Sequence, residues 1–436
     1  MTKQEMLAFV QAAVEASGTT DSIAVLTENR NASVRFGQNK ITQNMDVFKR
    51  ELQLTVGDGS KQATVTSQRI DHSALAEIAS EARNLLDTST PDPEYMPPVE
   101  GGQVYPVIDE AWDEFTGECP AAPRMETVGK LIDTAEENNM KAAGICWMQN
   151  NQTAVATSTG NLAAHRYTSA GLSFTMDRGL ASSRTFLKGT AWAELEVDPE
   201  IQKVVEQVEM DENATDVPPG DYKLILEPQA TWNLLMFLPW IMSARLADEG
   251  TSVFSGMEGK KITGENFSLS SSLYGTPPAI PFNTEGLPSR DVVWIEKGVL
   301  KNLPCDRFTA QKTGRPPLFV PETMDMAGGE GSVEDLVAGV DRGILIRRFW
   351  YIRFVDQKTL KLTGMTRDGV FLVENGKIVR PLKDFRWNWR PLELFSRILR
   401  IGKSVQRAAG MVPPVVIAEQ HYPFTDQEGS SEVPGT

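Results

Sequence analysis

The chain has 436 residues, 41% of them hydrophobic, which is enough to bury a real core and to fill two or three domains. Its 58 acidic and 43 basic side chains leave a net charge of −15, so the surface on average repels nucleic-acid phosphates and anionic membranes. Three widely spaced cysteines, Cys119, Cys146 and Cys305, form no C-x-x-C pair and no disulfide framework, which fits a reducing, cytoplasmic setting.

The first segment, MTKQEMLAFVQAAVEASG, places Met6, Leu7, Val10 and Val14 on one face at helical spacing and lacks the basic start and apolar run of a signal peptide. It predicts the first helix of a domain. A strand, an Asn-bearing turn and a second strand should follow, over SIAVLTENRNASVRFG. The pattern returns about one hundred and twenty residues later. At a constant offset Leu7 matches Val128, Val10 matches Leu131, Leu26 matches Trp147, Asn29 matches Asn150 and Val34 matches Val155. Two stretches rich in proline and acid, at 87–106 and 210–221, read as domain joints. The division expected is an α+β subdomain at 1–90, a linker at 91–110, a second α+β subdomain at 111–215, a β-rich domain at 221–425 and a flexible tail at 426–436.

The most apolar segment, LLMFLPWIMSA at 234–244, is far shorter than the roughly 20 residues that span a bilayer. It predicts a core helix. Burying Leu234, Leu235, Phe237, Leu238 and Ile241 at roughly 1.5–3 kcal/mol each would account for it as packing. Pro239 opposes the carbonyl of Leu235 at a cost of about 3 kcal/mol, so a kink or break is expected there. Further on, Lys297-Gly298 and Asn375-Gly376 are residue pairs that tolerate the positive φ of a two-residue hairpin turn, and they mark a large, mainly antiparallel sheet. GILIRRFWYIRFV at 343–355 is apolar enough to cross the middle of that sheet. Its basic and aromatic mixture also suits stacking on single-stranded nucleic acid, a reading the net charge of −15 opposes.

Chemistry-bearing motifs are sparse. His72, His165 and His421 are the only histidines, and no two lie within helical reach of each other. Serine and cysteine lack the setting of an activated nucleophile, Cys305 reads as a small buried hydrophobe, and GGEG at 328–331 reads as a loop without the Lys-Ser/Thr of a phosphate cradle. Asp248 and Glu249 form an acidic pair at a helix end.

Six stretches in order resemble the TldD/PmbA family: VRFGQNKITQN at 34–44, ATSTGN at 156–161, DYKLILEPQA at 221–230, EGTSVFSGMEGKKI at 249–262, PFNTEGLPSRDVVWIEKGVLKNL at 281–303 and GMTRDGVFLVENGKIVRPL at 364–382. The resemblance implies an α+β fold, with two related helix-plus-hairpin subdomains in the amino-terminal half and a large, mainly antiparallel curved sheet in the carboxy-terminal half. It also implies paired subunits around a cavity for unfolded peptide. In the TldD type an H-E-x-x-x-H helix and a distant cysteine hold zinc; the TldE/PmbA type lacks them. Counted from either flank, that motif window falls here on Leu235, Met236, Phe237, Leu238, Pro239, Trp240 and Ile241, and the region after 404 contains no cysteine. No catalytic or metal-ligating residue is therefore expected, zinc being left to a TldD-like partner. The chain departs from the family's acids at SSSLYGTPP (270–278) and at Asn283. The expectation is a non-catalytic subunit that pairs with a zinc peptidase, or with itself, around unfolded peptide, without nucleic acid or membrane. The alternatives are a self-sufficient homodimeric hydrolase using Cys305 or the Asp248/Glu249 pair, and a peptide-binding scaffold.

Overall fold

The computed structural model describes residues 1–275, 278–319, 323–407 and 410–425, so the expected tail at 426–436 lies outside the described residues. The amino-terminal half is built on one six-stranded antiparallel sheet, ordered β3-β2-β1-β4-β5-β6. Its strands are β1 (Asp21–Gly37), β2 (Lys40–Gly57), β3 (Gln62–Ser67), β4 (Lys141–Thr157), β5 (Leu162–Arg178) and β6 (Ala181–Gly189). Two units of the same order, helix, three strands, helix, contribute three neighbouring strands each, and they meet where β1 pairs β4 from Ile23↔Thr157 to Phe36↔Gly144. Helices Lys3–Ser17 and Leu75–Thr88 cover Leu26 and Leu54, and helices Ala121–Glu137 and Val197–Met210 cover Val34 and Phe174. Leu26 and Val34 are an even number of positions apart on β1, so both helix pairs lie on one face. On the other face Val25, Val155 and Ala163 pack against Phe282 of the carboxy-terminal half.

Two local expectations need correction. The first helix buries Met6, Phe9, Val10 and Ala13, while Leu7 and Val14 flank that stripe. The Asn-rich stretch is not a turn, because β1 runs unbroken through Asn29 and Asn31, opposite Lys49 and Val47 of β2 and Asn151 and Gln149 of β4. With a strand on each side, its backbone groups are satisfied in the ladder, and the polar side chains mark a partly exposed centre rather than a break. The actual reversal is at Gln38 and Asn39, both at positive φ.

In the carboxy-terminal half seven strands form the main sheet. Six of them run β14-β13-β12-β7-β19-β16, and β15 adds to β13. The strands are β7 (Gly220–Leu226), β12 (Arg342–Asp356), β13 (Lys361–Glu374), β14 (Lys377–Pro381), β15 (Arg386–Trp389), β16 (Ile398–Ile401) and β19 (Val415–Tyr422). Only β12 and β7 pair in parallel; the rest of this sheet is antiparallel. A smaller sheet of β8 (Leu269–Ser271), β9 (Val292–Glu296), β10 (Val299–Leu300) and β11 (Asp325–Met326), and a ribbon of β17 (Val405–Arg407) and β18 (Gly410–Val412), complete the half. Both expected hairpin turns are present, with φ of 45° and 79° at Lys297-Gly298 and 51° and 75° at Asn375-Gly376.

β12 crosses the sheet centre as expected only over its first half. It pairs with β7 from Gly343 to Ile346; beyond that β13 is its strand neighbour, and Trp350, Tyr351 and Val355 are exposed. Tyr351 sits at positive φ, within the register shift between Trp350 and Arg353, while Ile352 still packs into the core. The apolar 234–244 segment breaks before Pro239, as the proline led us to expect. The helix Pro228–Leu235 stops one turn before Pro239, and the Leu235 carbonyl accepts the Leu238 N–H at 2.9 Å. That bond gives the carbonyl a partner where proline could offer no N–H and would clash. A second short helix, Ala244–Asp248, begins behind a Ser243 cap.

Candidate functional site, a cationic cleft

The window 235–241 therefore lies on a helix end and a turn. Leu235, Leu238 and Ile241 point into the core with Trp294 and Phe254, while Met236 and Trp240 are exposed and Phe237 is half-buried. Met236 and Phe237 line a cleft of about 560 Å³. Its other walls come from β6 (Arg184 to Phe186), the helix Val197–Met210 (Glu200 and Lys203), the bent stretch of β12 (Arg347 to Arg353) and Arg407 of β17. The two halves of the chain thus meet around this cleft.

Its lining carries six cationic side chains against three acidic ones, the reverse of the overall charge. The acids are taken up in pairs: Glu227 lies 3.3 Å from Arg347 Nε, Asp368 lies 3.0 Å from Arg348 Nε, and Glu200 lies 3.5 Å from Lys203 Nζ. Arg184, Arg353 and Arg407 have no carboxylate within 4 Å among the described residues. Their guanidinium groups donate instead to Ser173 Oγ, to the Ile352 carbonyl and to the Gln406 carbonyl.

Arg347 is 8% exposed and lies over the Phe371 ring, 4.5 Å from its centroid. Burial holds its guanidinium below the usual arginine range, with Glu227 pulling the other way. Burial likewise lowers Arg407, opposed by the charges of Glu200 and Glu227. Asp368 also accepts the Ser182 hydroxyl at 2.8 Å. Close by, burial pushes the Asp211 carboxyl up to about 6, and the charges of Asp384 and Asp368 add to that.

Residues 219–422 match the family model described as the PmbA/TldA metallopeptidase C-terminal domain. Over 178 residues the chain is 27% identical to the Metalloprotease TldD homolog of Buchnera aphidicola subsp. Acyrthosiphon pisum (strain APS). It is also 27% identical over 177 residues to the homologue of subsp. Schizaphis graminum (strain Sg). The carboxy-terminal half of the chain is a TldD/PmbA-type domain. The matched stretch covers 37% of this chain and spans 36% of the length of the Acyrthosiphon pisum strain's protein. The fold extends the likeness to nearly the whole molecule. TldE from Thermococcus kodakarensis superposes with a TM-score of 0.86 at 16% identity, over 96% of this chain and 99% of that one. A Thermotoga maritima protein, described as a candidate modulator of a DNA gyrase, does so at 0.84 and 19% identity, over 96% and 100%.

For a TldD/PmbA-type domain the decisive comparison is between the window and the zinc that the family's TldD type would hold there. These residues do not fit zinc. Leucine, phenylalanine, proline, tryptophan and isoleucine offer no donor, Met236 offers a weak thioether, and the surrounding guanidinium groups oppose a dication. Among the described residues no three His, Cys, Asp or Glu side chains gather in a ligand arrangement. The histidines are dispersed. His72 packs edge-on against Phe9, His165 is lowered to about 4 by burial, and the exposed His421 meets Asp221 at 2.8 Å.

The rival sites are engaged in structural contacts. Cys305 is buried, with its backbone paired to Leu318, and burial raises its thiol; Cys146 is pushed up to about 12 by the same cause. Asp248 is held by both Nη atoms of Arg315, and Glu249 pairs with Arg245 at 3.2 Å. Asn283 accepts the N–H groups of Glu285 and Leu287, which organises its own loop, and of the SSSLYGTPP stretch Thr276 and Pro277 lie outside the described residues. Sequence reasoning missed the arginine cluster. Its visible signal was the basic and aromatic run at 343–355, which carries Arg347, Arg348 and Arg353.

Proposed function

We propose that this chain is a non-catalytic, TldE/PmbA-like subunit that pairs with a zinc-bearing TldD-type peptidase and helps to enclose unfolded peptide, in peptide maturation or degradation in the cytoplasm. The observation that carries this reading is the window itself: the seven positions where the TldD type would hold its ion offer almost only hydrocarbon, and the cleft that Met236 and Phe237 line is rich in cations rather than ligands. The exposed second half of β12 favours a role with peptide, because past Phe349, whose N–H is held by Asn233 Oδ1, no strand among the described residues pairs with its edge away from β13. An extended chain could use such an edge through main-chain hydrogen bonds. A homodimer remains the alternative assembly.

The test is reconstitution. The purified chain is mixed with a TldD-type subunit carrying H-E-x-x-x-H, and cleavage of an unstructured peptide is followed by mass spectrometry. The reading expects no cleavage by this chain alone and cleavage that depends on both chains together. Cleavage by this chain alone that survives a chelator would favour the self-sufficient hydrolase instead.

A further inference from the structure

The cationic cleft has a feature that packing alone does not require. Ion pairs balance charge for Arg347, Arg348 and Lys203, yet three further guanidinium groups from three separate strands, Arg184, Arg353 and Arg407, come to the same cavity with no carboxylate within 4 Å among the described residues. Even the most buried of the cluster is incompletely satisfied: the side chain of Arg347 is 9% exposed, and its Nη1 has no hydrogen-bond acceptor among the described residues. Holding cations in one partly desolvated place is costly in a chain free to be acidic elsewhere, and a bound anion would offset that cost.

We propose that this cleft is a subsite for a carboxylate of an extended peptide, its C-terminal group foremost, held by the guanidinium groups of Arg407 and Arg353 beside Arg347. Planar guanidinium forks match a carboxylate in two-point hydrogen bonding. The volume of about 560 Å³ suits the end of a peptide, falling within the roughly 300–1,000 Å³ of small-ligand sites. Trp350 and Tyr351 are exposed at the same cleft, with Arg367 over one ring and Arg353 over the other, so apolar surface lies beside the guanidinium groups for the residues that precede the carboxylate. The charge pattern favours a singly charged group over a polyphosphate. Glu200, Glu227 and Asp368 sit among the cations and would repel a dense anion, and the chain as a whole carries −15. The proposal rests on the peptide-handling part of the function proposed above and adds an end preference to it.

Isothermal titration of the full chain with N-acetyl-pentaalanine, as the free acid and as the C-terminal amide, tests this directly. The acid should bind at least tenfold tighter than the amide. R407Q should bring the two within threefold of each other, and R353Q, at an exposed position that leaves the core intact, should narrow the gap several-fold. Equal binding of acid and amide overturns the subsite and leaves the subunit reading standing, since that is judged by reconstitution. Failure of both peptides to bind overturns it too, as does inorganic phosphate binding more tightly than the acid, which would assign the cleft to phosphate. Retention of the full preference in both R407Q and R353Q would show that the carboxylate sits elsewhere.

Discussion

Replacing Asp368 by asparagine isolates what one charge does for the cleft. Asp368 sits at φ 60°, a conformation asparagine tolerates as well as aspartate, so the backbone has no reason to move. The amide oxygen can still accept the Ser182 hydroxyl now held at 2.8 Å. What disappears is the counter-charge of Arg348. The two side chains are 3% and 11% exposed and meet at 3.0 Å, and a second arginine, Arg367, lies 3.8 Å from the same carboxylate. Breaking a pair so buried strands a cation next to the already crowded Arg347, and such losses run to about 3–5 kcal/mol. D368N should therefore lower unfolding free energy by roughly that amount in urea denaturation with an unchanged m-value. R348M, by removing the stranded cation, should recover most of the loss in the double variant. A loss below about 1 kcal/mol in D368N, or a double variant no more stable than D368N alone, would refute the argument that this charge is buried and paired.

Leu238 is fully buried just before Pro239, so L238A should cost about 2–5 kcal/mol in the same assay, and a cost under about 1 kcal/mol would mean that the turn does not anchor in the core. Asp211 predicts a pH effect. Its carboxyl is raised to about 6, so between roughly pH 4 and 6 the folded chain binds a proton that the unfolded chain has released, and stability is lost as pH rises through about 6. D211N should abolish that loss. Undiscounted, the raised value corresponds to about 3 kcal/mol; because the group is half-exposed, about 1 kcal/mol of gain is expected at pH 7.5, falling to none near pH 4. A gain equal at both pH values, or a loss at pH 7.5, would contradict this assignment.

What was legible in the sequence was local chemistry. Gly298 and the Asn375-Gly376 pair announce positive φ whatever surrounds them, and Pro239 announces the end of a helix because a missing N–H cannot be supplied from elsewhere. What was illegible depended on neighbours far along the chain. Asn29 to Asn31 look like a turn until β2 and β4 are known to flank them, and the polar and apolar halves of β12 differ because β7 reaches only as far as Ile346. The window could be located by counting between its flanks. The cleft beside it could not, since Arg184, Arg347 and Arg407 come from three strands that sequence spacing does not bring together.

The central claim is that this chain's own residues cannot hold the ion that a TldD-type subunit would. Equilibrating the purified chain with zinc, dialysing against metal-free buffer and counting the retained metal by elemental analysis tests it most directly. The account predicts far less than one zinc per chain; a stoichiometric ion that survives dialysis, and is lost when side chains near 235–241 are replaced, would contradict it.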